Sequence, residues 1–547
     1  MNFPLRSLLL PLLLLASSLH AAEKPGAGKK PNILLIFCDD LASPAMSAYG
    51  DPRKLIETPN LDRLAAQGML FKRCLVTSSV CGPSRAAVLT GKYAHLNGFY
   101  NNETTPFDGS QQTFPKLLQK AGYQTAIVGK WHLVSDPTGF DHWEILPNQG
   151  QYYNPPMICD GKNVVHEGYV TDIVADLSMD WIRHRDKSKP FMIMCQPKAP
   201  HMPWEPALKD LDFDHGRHYP VPETFYDDYG GGRGKAWTDN KMRIADILND
   251  DHLKLIPPPD LNAGQRKVWD AYYGPRNAAF HAANLSGNAL AKWKYQRYMH
   301  DYLGCVRSFD ENVGRIMKFL KDEGLENNTM VVLSSDQGVF LGEHGWFDKR
   351  WILEPSLTTP LIWRWPGTVK PESICNKIVS LLDLPETFLA AAGISEPADM
   401  QGKSLIPLLK GENPPDWRTS FYYHYHEYPR WHRVRPQYGV VTDRYKLVHY
   451  YKPDIDDWEL YDLQENPAET KNFINDPAHA PVVKDLHAEL ARLRTALKVP
   501  AEDDEPRSAY GNVPFDDPAL MPLRGAHGED MVDPKATNTK VAAPASK

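Results

Sequence analysis

A cysteine, a proline and an arginine stand close together in residues 79–91, whose sequence is SVCGPSRAAVLTG. Pro83 suits the first turn of a helix, so Cys81 is expected at the helix N-terminus. There the helix dipole and the unpaired backbone N–H groups favour an anion. Arg85 lies one turn further on and can face the same point. The spacing predicts an anion-handling site; the simpler interpretation is a capped helix that happens to contain a cysteine.

Acidic residues follow two apolar runs that have the character of buried parallel strands. Residues 31–38 (PNILLIFC) lead directly into Asp39 and Asp40, and residues 330–333 lead towards Asp336. Adjacent carboxylates repel one another and are costly to hold together unless a cation lies between them. Oxygen ligands of this kind select a hard cation, Ca²⁺ or Mg²⁺. The acids therefore predict a metal site, with a solvated turn as the alternative for Asp39 and Asp40.

Lysine and histidine residues follow further short apolar runs. Lys130 and His132 stand in residues 129–132 (GKWH), and His201 closes residues 198–201 (KAPH). Lys349 lies in residues 346–350 (WFDKR). The formal net charge of -7 gives no general attraction to an anion, so an anionic substrate needs a local group of cations.

The pattern Cys-x-Pro-Ser-Arg, continued by LTG, resembles the signature of type I sulfatases, which belong to the alkaline phosphatase superfamily. The resemblance extends from residue 31 to about residue 497 and also covers the acidic, lysine and histidine motifs. It implies that a maturation enzyme oxidises Cys81 to formylglycine, an aldehyde. It also implies a sulfate ester as the substrate.

The same resemblance implies a Ca²⁺ site, with Mg²⁺ as the less common alternative. Its ligands would be the formylglycine made from Cys81, together with Asp39, Asp40, Asp336 and Gln337. Many members have asparagine after the aspartate that corresponds to Asp336, so the longer Gln337 departs from the family pattern.

The catalytic roles come from the resemblance as well. Arg85, Lys130 and Lys349 would bind the sulfate, and a hydroxyl of hydrated formylglycine would attack sulfur. His201 would donate a proton to the leaving alcohol oxygen, assisted by Lys349. His132 would take the proton of the second hydroxyl, so that sulfate departs and the aldehyde forms again.

Two segments resemble bacterial sulfatases that act on 6-O-sulfated N-acetylglucosamine in heparan-type or mucin glycans. They are GQYYNP within residues 144–155 and FYYHYHEYPRWHRV at residues 421–434. Trp431 could stack on a sugar ring, and Asp348, His432 and Arg433 could hydrogen-bond to sugar hydroxyls. Packing within a small C-terminal sheet is the alternative for the aromatic run. Another carbohydrate or aryl sulfatase, or a sulfamidase, is the alternative within the family.

Two alternatives come from other functional classes. A phosphodiesterase or phosphatase of the same superfamily would use threonine or serine as its nucleophile, so Cys81 in its full signature argues against it. A non-catalytic glycan binder should have lost some acids, lysines or histidines. Every expected position is filled here, apart from the change to Gln337.

The elements that must position these residues alternate between strands and helices. Apolar runs predict strands at residues 31–38, 69–77, 123–128, 191–195 and 330–333, and helical spacing predicts helices at residues 58–66, 113–120, 170–185 and 293–321. Such alternation predicts an α/β fold, and the resemblance makes it an alkaline-phosphatase-like sandwich around a large, mainly parallel sheet. Ligands gather beyond the C-terminal strand ends of such sheets, which is where the acids stand. Residues 201–283 are rich in Pro, Gly and Asp and predict an irregular insertion.

The C-terminal part has a different pattern. Residues 379–392 predict a helix, and short aromatic and β-branched runs predict four strands at residues 421–425, 438–442, 446–451 and 458–462. These would form a smaller antiparallel sheet subdomain that a helix at residues 482–497 could cover. We therefore expect a catalytic domain at residues 31–400, a subdomain at residues 401–500 and a poorly ordered tail at residues 501–547.

The N-terminus and the composition limit where the protein works. Residues 1–22 have a charged start, a short apolar run and small residues, which is typical of a secretory signal peptide. We expect export to the periplasm or the extracellular space, without a membrane span. No basic stripe points to nucleic acid, so the expected partners are a sulfated glycan and the formylglycine-generating maturation enzyme. Seven cysteines in 547 residues do not make a disulfide scaffold.

Overall fold

A computed structural model describes residues 30–102, 106–428, 430–451 and 454–501. The predicted signal peptide, and the predicted tail after residue 501, lie outside these residues. Among the helices within them, none has both the length and the apolar character that crossing a membrane requires. All seven cysteines lie in the described part, and each is a free thiol.

The described residues form seventeen strands and thirteen helices. The strands are β1 Asn32–Cys38, β2 Met69–Leu75, β3 Gln124–Lys130, β4 His142–Leu146, β5 Pro156–Cys159, β6 Lys162–Val165, β7 Phe191–Gln196, β8 Thr329–Ser335, β9 Phe340–Leu341, β10 Phe347–Asp348, β11 Thr358–Arg364, β12 Ser373–Cys375, β13 Val379–Ser380, β14 Ser420–Tyr425, β15 Gln437–Thr442, β16 Tyr445–Tyr451 and β17 Asp456–Asp462. The helices are α1 Pro59–Ala66, α2 Cys81–Thr90, α3 Ala94–Asn97, α4 Phe114–Lys120, α5 Val170–His184, α6 Lys235–Asp239, α7 Ile244–Ile247, α8 Ala263–Ala283, α9 Gly287–Asp322, α10 Glu354–Leu357, α11 Asp383–Ala391, α12 Ile406–Leu409 and α13 Ala480–Ala496.

The large sheet has the order β12-β2-β11-β8-β1-β7-β3-β4-β5-β6, with β13 beside β2. Its centre is parallel, because β1 pairs in parallel with β7 and β8, and β3 with β7 and β4. Strand β11 runs antiparallel between β8 and β2, and β5 and β6 form an antiparallel hairpin at the far edge. The predicted α/β class with a mainly parallel sheet is confirmed.

Strand β1 shows why both faces of this sheet are covered. All seven of its residues are buried, and alternate side chains enter two separate cores. Ile33, Leu35 and Phe37 share one core with α2, α4 and α11, whereas Leu34 and Ile36 share the other with α1, α5 and α9. A strand that is apolar on both faces reads as a continuous apolar run, which is the pattern in the sequence.

A second, smaller sheet follows in the C-terminal part. Its four strands have the order β14-β15-β16-β17 and are antiparallel throughout. Helix α13 contributes Leu486 and Leu490 to the core that this sheet shares with the large one. The predicted small sheet and its covering helix are therefore confirmed.

Two predicted elements were wrong in part. Residues 201–283 contain the 21-residue helix α8, which begins with a capping box between Asn262 and Gln265. Pro275 lies inside this helix, and an internal proline in the sequence argues against a helix. The helix predicted from residue 379 begins at Asp383, because residues 379–380 pair with β2.

Candidate active site

Four central strands deliver polar side chains to one edge of the large sheet. Asp39 and Asp40 follow β1, and Asp336 follows β8. Lys130 is the last residue of β3, and Gln196 is the last residue of β7. Because β8, β1, β7 and β3 are adjacent and parallel, their C-terminal ends meet, and these side chains converge there.

The three acids form a buried cluster. Asp39 and Asp336 have no exposed surface and Asp40 is 4% exposed, and one carboxylate oxygen from each lies within 4.8 Å of the others. Asp40 has a left-handed φ of 63°, and its N–H donates to Asp336 Oδ1 over 3.1 Å. In a regular strand the side chains of Asp39 and Asp40 would point to opposite faces. The left-handed backbone at Asp40 ends the strand and lets both carboxylates point to the same place.

The charges of this cluster perturb its pKa values in opposite directions. Burial would raise the pKa of Asp39, but His201 and Lys130 outweigh burial and hold that pKa well below its usual range. Burial, and then the charge of Asp39, raises the pKa of Asp336 to about 7. Burial raises the pKa of Asp40 as well, so the cluster combines one carboxyl of lowered pKa with two of raised pKa.

A hard divalent cation fits this set of donors. The cluster offers three carboxylates, and Gln337 adds a side-chain amide. Gln337 Oε1 is buried and has no hydrogen-bond partner among the described residues, while Nε2 donates to Asp40 Oδ1 over 2.5 Å. A half-turn of the amide exchanges oxygen and nitrogen and would present an oxygen to the same point. An all-oxygen set of this kind suits Ca²⁺ or Mg²⁺.

Cys81 is the first residue of α2 and points at the acids. Its Sγ lies 3.4 Å from Asp39 Oδ1 and 3.5 Å from Gln337 Nε2. The sulfur marks the place that the aldehyde or its hydrate would take in a formylglycine residue. Burial, and then Asp39, raises the pKa of the thiol well above its usual value.

The start of α2 is held in place by two tight contacts. The Gly82 N–H donates to Asn102 Oδ1 over 2.9 Å, and the Ser84 hydroxyl donates to the Asp336 carbonyl over 2.5 Å. A Cβ at Gly82 would lie 2.5 Å from the Phe99 ring and 2.7 Å from Asn102 Oδ1. No larger residue fits between Cys81 and Pro83 without moving these neighbours.

Three buried cations face the three acids. Arg85 donates to Asp336 Oδ2 from Nη2 over 2.8 Å and to Gln196 Oε1 from Nη1 over 2.7 Å. Lys130 Nζ contacts an Asp39 oxygen, and Lys349 Nζ lies 2.7 Å from Asp40 Oδ2. The structure therefore brings together the predicted cation group, although the three residues are separated in sequence by up to 264 positions (349 minus 85).

The two predicted histidines are both buried and feel the charges of this group. His201 Nδ1 is 2.8 Å from the Met202 carbonyl, so Nδ1 carries a proton, and Nε2 lies 3.6 Å from Asp40 Oδ2. A ring nitrogen of His201 is within 4.8 Å of Cys81 Sγ. His132 has a φ of 53°, and burial, followed by the charge of Lys130, lowers its pKa well below the usual value.

Two of the residues predicted to hold the sugar, Asp348 and Trp431, lie beside one buried arginine. Arg350 contacts Asp348, and its guanidinium lies 5.7 Å from the centre of the Trp431 ring. His432 is fully buried, with Nε2 3.8 Å from Glu427 Oε2. For Arg433 the structure shows a backbone N–H donated to the Arg430 carbonyl over 2.9 Å.

Several polar residues of the site were missed by the sequence analysis. Gln149 accepts from Lys130 Nζ over 2.5 Å, and Glu427 lies 3.7 Å from Arg350 Nε. Asn102 links Glu427 to α2, since its backbone N–H donates to Glu427 Oε1 over 3.2 Å and its Oδ1 accepts from the Gly82 N–H. Arg350 closes the WFDKR motif and could have been included on that ground. Glu427 lies in the aromatic run at residues 421–434 and could have been included likewise, whereas Asn102, 325 residues away from it, lies in none of the motifs.

Comparison with known proteins agrees with this arrangement. A model of the sulfatase family matches residues 31–394, and a model of the C-terminal part of N-sulphoglucosamine sulphohydrolase matches residues 342–496. An N-acetylglucosamine-6-O-sulfatase from Bacteroides thetaiotaomicron is 45% identical over 501 residues, which are 88% of this chain and 89% of the relative. An N-acetylgalactosamine-6-sulfatase from Rattus norvegicus is 30% identical over 451 residues, covering 76% of this chain and 72% of the relative.

A solved structure extends the similarity to three dimensions. It is 44% identical in sequence, covers 88% of this chain and 100% of its own, and has a TM-score of 0.84. That protein was solved in complex with its substrate D-glucosamine-2-N,6-O-disulfate. Because the family model spans more than half of the chain and the relatives match most of it, this protein belongs to the sulfatase family and is a hydrolase of sulfuric esters.

Proposed function

We propose that this enzyme removes the 6-O-sulfate of N-acetylglucosamine or glucosamine residues in heparan-type or mucin glycans. The observation that carries the proposal is the place of Cys81, at a helix N-terminus between three buried acids and three buried cations. The preference for position 6 is supported by the 45% identical relative and by the substrate of the 44% identical structure.

Asp39, Asp40, Asp336 and the amide oxygen of Gln337 would hold a divalent cation, Ca²⁺ in preference to Mg²⁺, beside a formylglycine made from Cys81. The hydrate of formylglycine supplies a hydroxyl nucleophile, and the cation supplies positive charge next to the sulfate oxygens. The chain's own residues would bind and orient the sulfate, and they would transfer the protons of the reaction.

The buried cations would bind the sulfate group. Arg85, Lys130 and Lys349 are each at most 3% exposed, so their charges are poorly screened by water. They already lie against carboxylates, which fixes their positions before the substrate arrives. Charges arranged in advance around the reacting group stabilise the negative charge that develops on its oxygens.

The two histidines would move the protons. The hydrogen bond from His201 Nδ1 to the Met202 carbonyl leaves Nε2 as the nitrogen that would donate to the leaving sugar oxygen. Burial lowers the pKa of this ring well below its usual value, so Nε2 would gain its proton when the anionic substrate binds beside it. His132 lies two residues after Lys130, and burial, followed by the charge of Lys130, lowers the pKa of its ring, which favours the form that can accept a proton. Asp348, Arg350 and Trp431 would contact the sugar, with Glu427 holding Arg350 from the C-terminal sheet.

Export and maturation complete the proposal. Residues 1–22 would direct the chain to the periplasm or outside the cell, and a formylglycine-generating enzyme would convert Cys81. Residues 31–400 would form the catalytic domain and residues 401–500 the subdomain that supplies Glu427 and Trp431.

A second candidate is hydrolysis of N-sulfate. It is supported by the match of residues 342–496 to the C-terminal model of N-sulphoglucosamine sulphohydrolase. The first experiment is therefore release of sulfate from glucosamine carrying a single sulfate at O6, at O3 or at N2, with protein whose Cys81 peptide has the mass of formylglycine. Preference for the 6-sulfate supports the proposal, and preference for the N-sulfate would replace it.

The metal assignment is tested separately. Asp39→Ala and Asp336→Ala should each lower the calcium content of the purified enzyme, and Asp180→Ala on the surface of α5 is the matched control. Unchanged calcium in both cluster variants would refute the assignment without touching the substrate preference.

A further inference from the structure

A second group of metal-ligating side chains lies at the far edge of the large sheet. His142 begins β4, Cys159 ends β5, and Asp160 is the next residue. A ring nitrogen of His142, Cys159 Sγ and a carboxylate oxygen of Asp160 all lie within 4.8 Å of one another. This group is made by strands β4 and β5, which lie beyond β3 and carry none of the catalytic acids.

The backbone fixes the group in this arrangement. Asp160 has a φ of 45° and Gly161 a φ of 82°, which is the left-handed pair that suits a two-residue hairpin turn between β5 and β6. The turn places Asp160 beside β4, where Oδ1 accepts the Trp143 N–H over 2.8 Å. Asp160 Oδ2 lies 2.9 Å from His142 Nδ1.

A fourth ligand stands on the same face. Glu144 is directly opposite Cys159 in the antiparallel pairing of β4 with β5, and it lies two residues from His142 on β4. Glu144 Oε1 is 2.5 Å from His166 Nε2. A carboxylate held by a neighbouring histidine is a common second-layer arrangement at metal sites, because it fixes the direction of the ligand.

We propose that His142, Cys159, Asp160 and Glu144 form a binding site for a transition-metal ion of the Zn²⁺ class. Nitrogen, thiolate sulfur and carboxylate oxygen together are a ligand set that zinc accepts and that calcium and magnesium do not favour. Zinc ligands at their usual bond lengths stand roughly 3.3–3.6 Å apart in a tetrahedron, so small side-chain shifts would close the present group around an ion.

The thiol of this group is accessible. Cys159 is the one cysteine of the seven that is partly exposed, so an ion can reach it. A bound dication would offset the two carboxylates and release the thiol proton, as metal binding to cysteine does in general.

The site would join the first residues of β4 to the end of β5, where Glu144 lies opposite Cys159. The connection between the two strands, residues 147–155, leaves from the other end of this pair and carries Gln149, which contacts Lys130. An ion would therefore fix the pairing of the two strands that carry this connection. Zinc would act here as a structural ion, apart from the acid cluster.

The test uses Co²⁺ as a spectroscopic probe on the full, calcium-loaded enzyme. We expect one equivalent of Co²⁺ with a thiolate-to-cobalt absorption band that Zn²⁺ displaces. Cys159→Ser should abolish the band, and His142→Ala should lower the affinity at least about tenfold. Cys81→Ala should keep the band, since the acid cluster and Cys81 could otherwise bind the probe.

A matched control separates the site from simple ion pairing. His184 and Asp180 form an exposed pair at 3.2 Å on α5, so His184→Ala removes a similar surface histidine. An affinity loss in His184→Ala equal to that in His142→Ala would overturn the proposal. So would failure of the native enzyme to retain Co²⁺, survival of the band in Cys159→Ser, or its loss in Cys81→Ala.

Discussion

Replacing His201 by asparagine separates its proposed chemistry from its structural contact. The Nδ2 of asparagine can take the position of the imidazole Nδ1 and keep the 2.8 Å hydrogen bond to the Met202 carbonyl. The substitution removes the Nε2 side of the ring, which faces Asp40 and Cys81. His201 is 1% exposed, so the space left behind is small and enclosed, and the fold should tolerate the change.

The expected loss follows from the role of a general acid. Such an acid contributes about 10²–10⁴-fold, which corresponds to roughly 3–5 kcal/mol of the barrier. A sugar alkoxide is a poor leaving group and needs the proton. His201→Asn should therefore lower kcat/KM for a 6-sulfated sugar by this full factor. A nitrophenolate leaves without a proton, so on nitrophenyl sulfate the same variant should lose less than about tenfold.

The assay compares kcat/KM for the two substrates in native and variant enzyme, with calcium content and thermal unfolding as checks on the fold. Lys130→Met is the matched control, because the loss of a sulfate-binding charge should lower kcat/KM for both substrates by a similar factor. If His201→Asn lowers kcat/KM for both substrates by the same factor, the proton-donor role is refuted. Unchanged activity on the sugar would refute any part for this ring in the reaction.

Three further predictions concern maturation, stability and pH. Cys81→Ser should be almost inactive when made in a host that cannot convert serine, and robust sulfatase activity there would contradict the formylglycine role. Arg418 donates two 2.6 Å hydrogen bonds to the fully buried Asp383, so Arg418→Leu should lower the free energy of unfolding by about 3–5 kcal/mol in denaturant titrations; a loss below roughly 1 kcal/mol would disagree with that burial. Burial would lower the pKa of His300, but the hydrogen bond to Asp214, helped by Asp301 and opposed by Arg297, raises it overall. This bond is therefore fully present below a pH of about 6.5 and is lost as pH rises through the folded pKa, so His300→Gln should destabilise more at acidic than at alkaline pH.

The parallel strands of the large sheet were predictable because they are covered on both faces. Strands β1, β7 and β8 are buried throughout and appear in the sequence as unbroken apolar runs. The polar residues that follow these strands were predictable for the same reason, because the chain leaves the apolar core only where a strand ends. Helix α8 was missed because most of it is exposed and therefore shows no clear apolar stripe, and Pro275 interrupts the pattern.

The proposed sugar contacts show a different limit. Asp348 and Arg350 lie in a motif that the sequence analysis had singled out, but their partners Glu427 and Trp431 arrive from beyond β14. Between these two segments the chain forms strands and helices that pack elsewhere. The local sequence of either segment therefore does not show that the two lie face to face. His432, predicted to hydrogen-bond to a sugar hydroxyl, is buried beside Glu427, and its contact with a sugar stays a prediction.

The sequence by itself determined the family, the fold class and the identities of the acids, cations and histidines, because each belongs to a short motif in which residue types and spacing carry the chemistry. Only the tertiary structure decided that Arg85, Lys130 and Lys349 each contact a different carboxylate, and that Gln337 directs its amide at Asp40. It alone placed His142, Cys159 and Asp160 together. The physical reason is that neighbours in space are set by strand order and by the packing of both sheet faces, which depend on the whole chain.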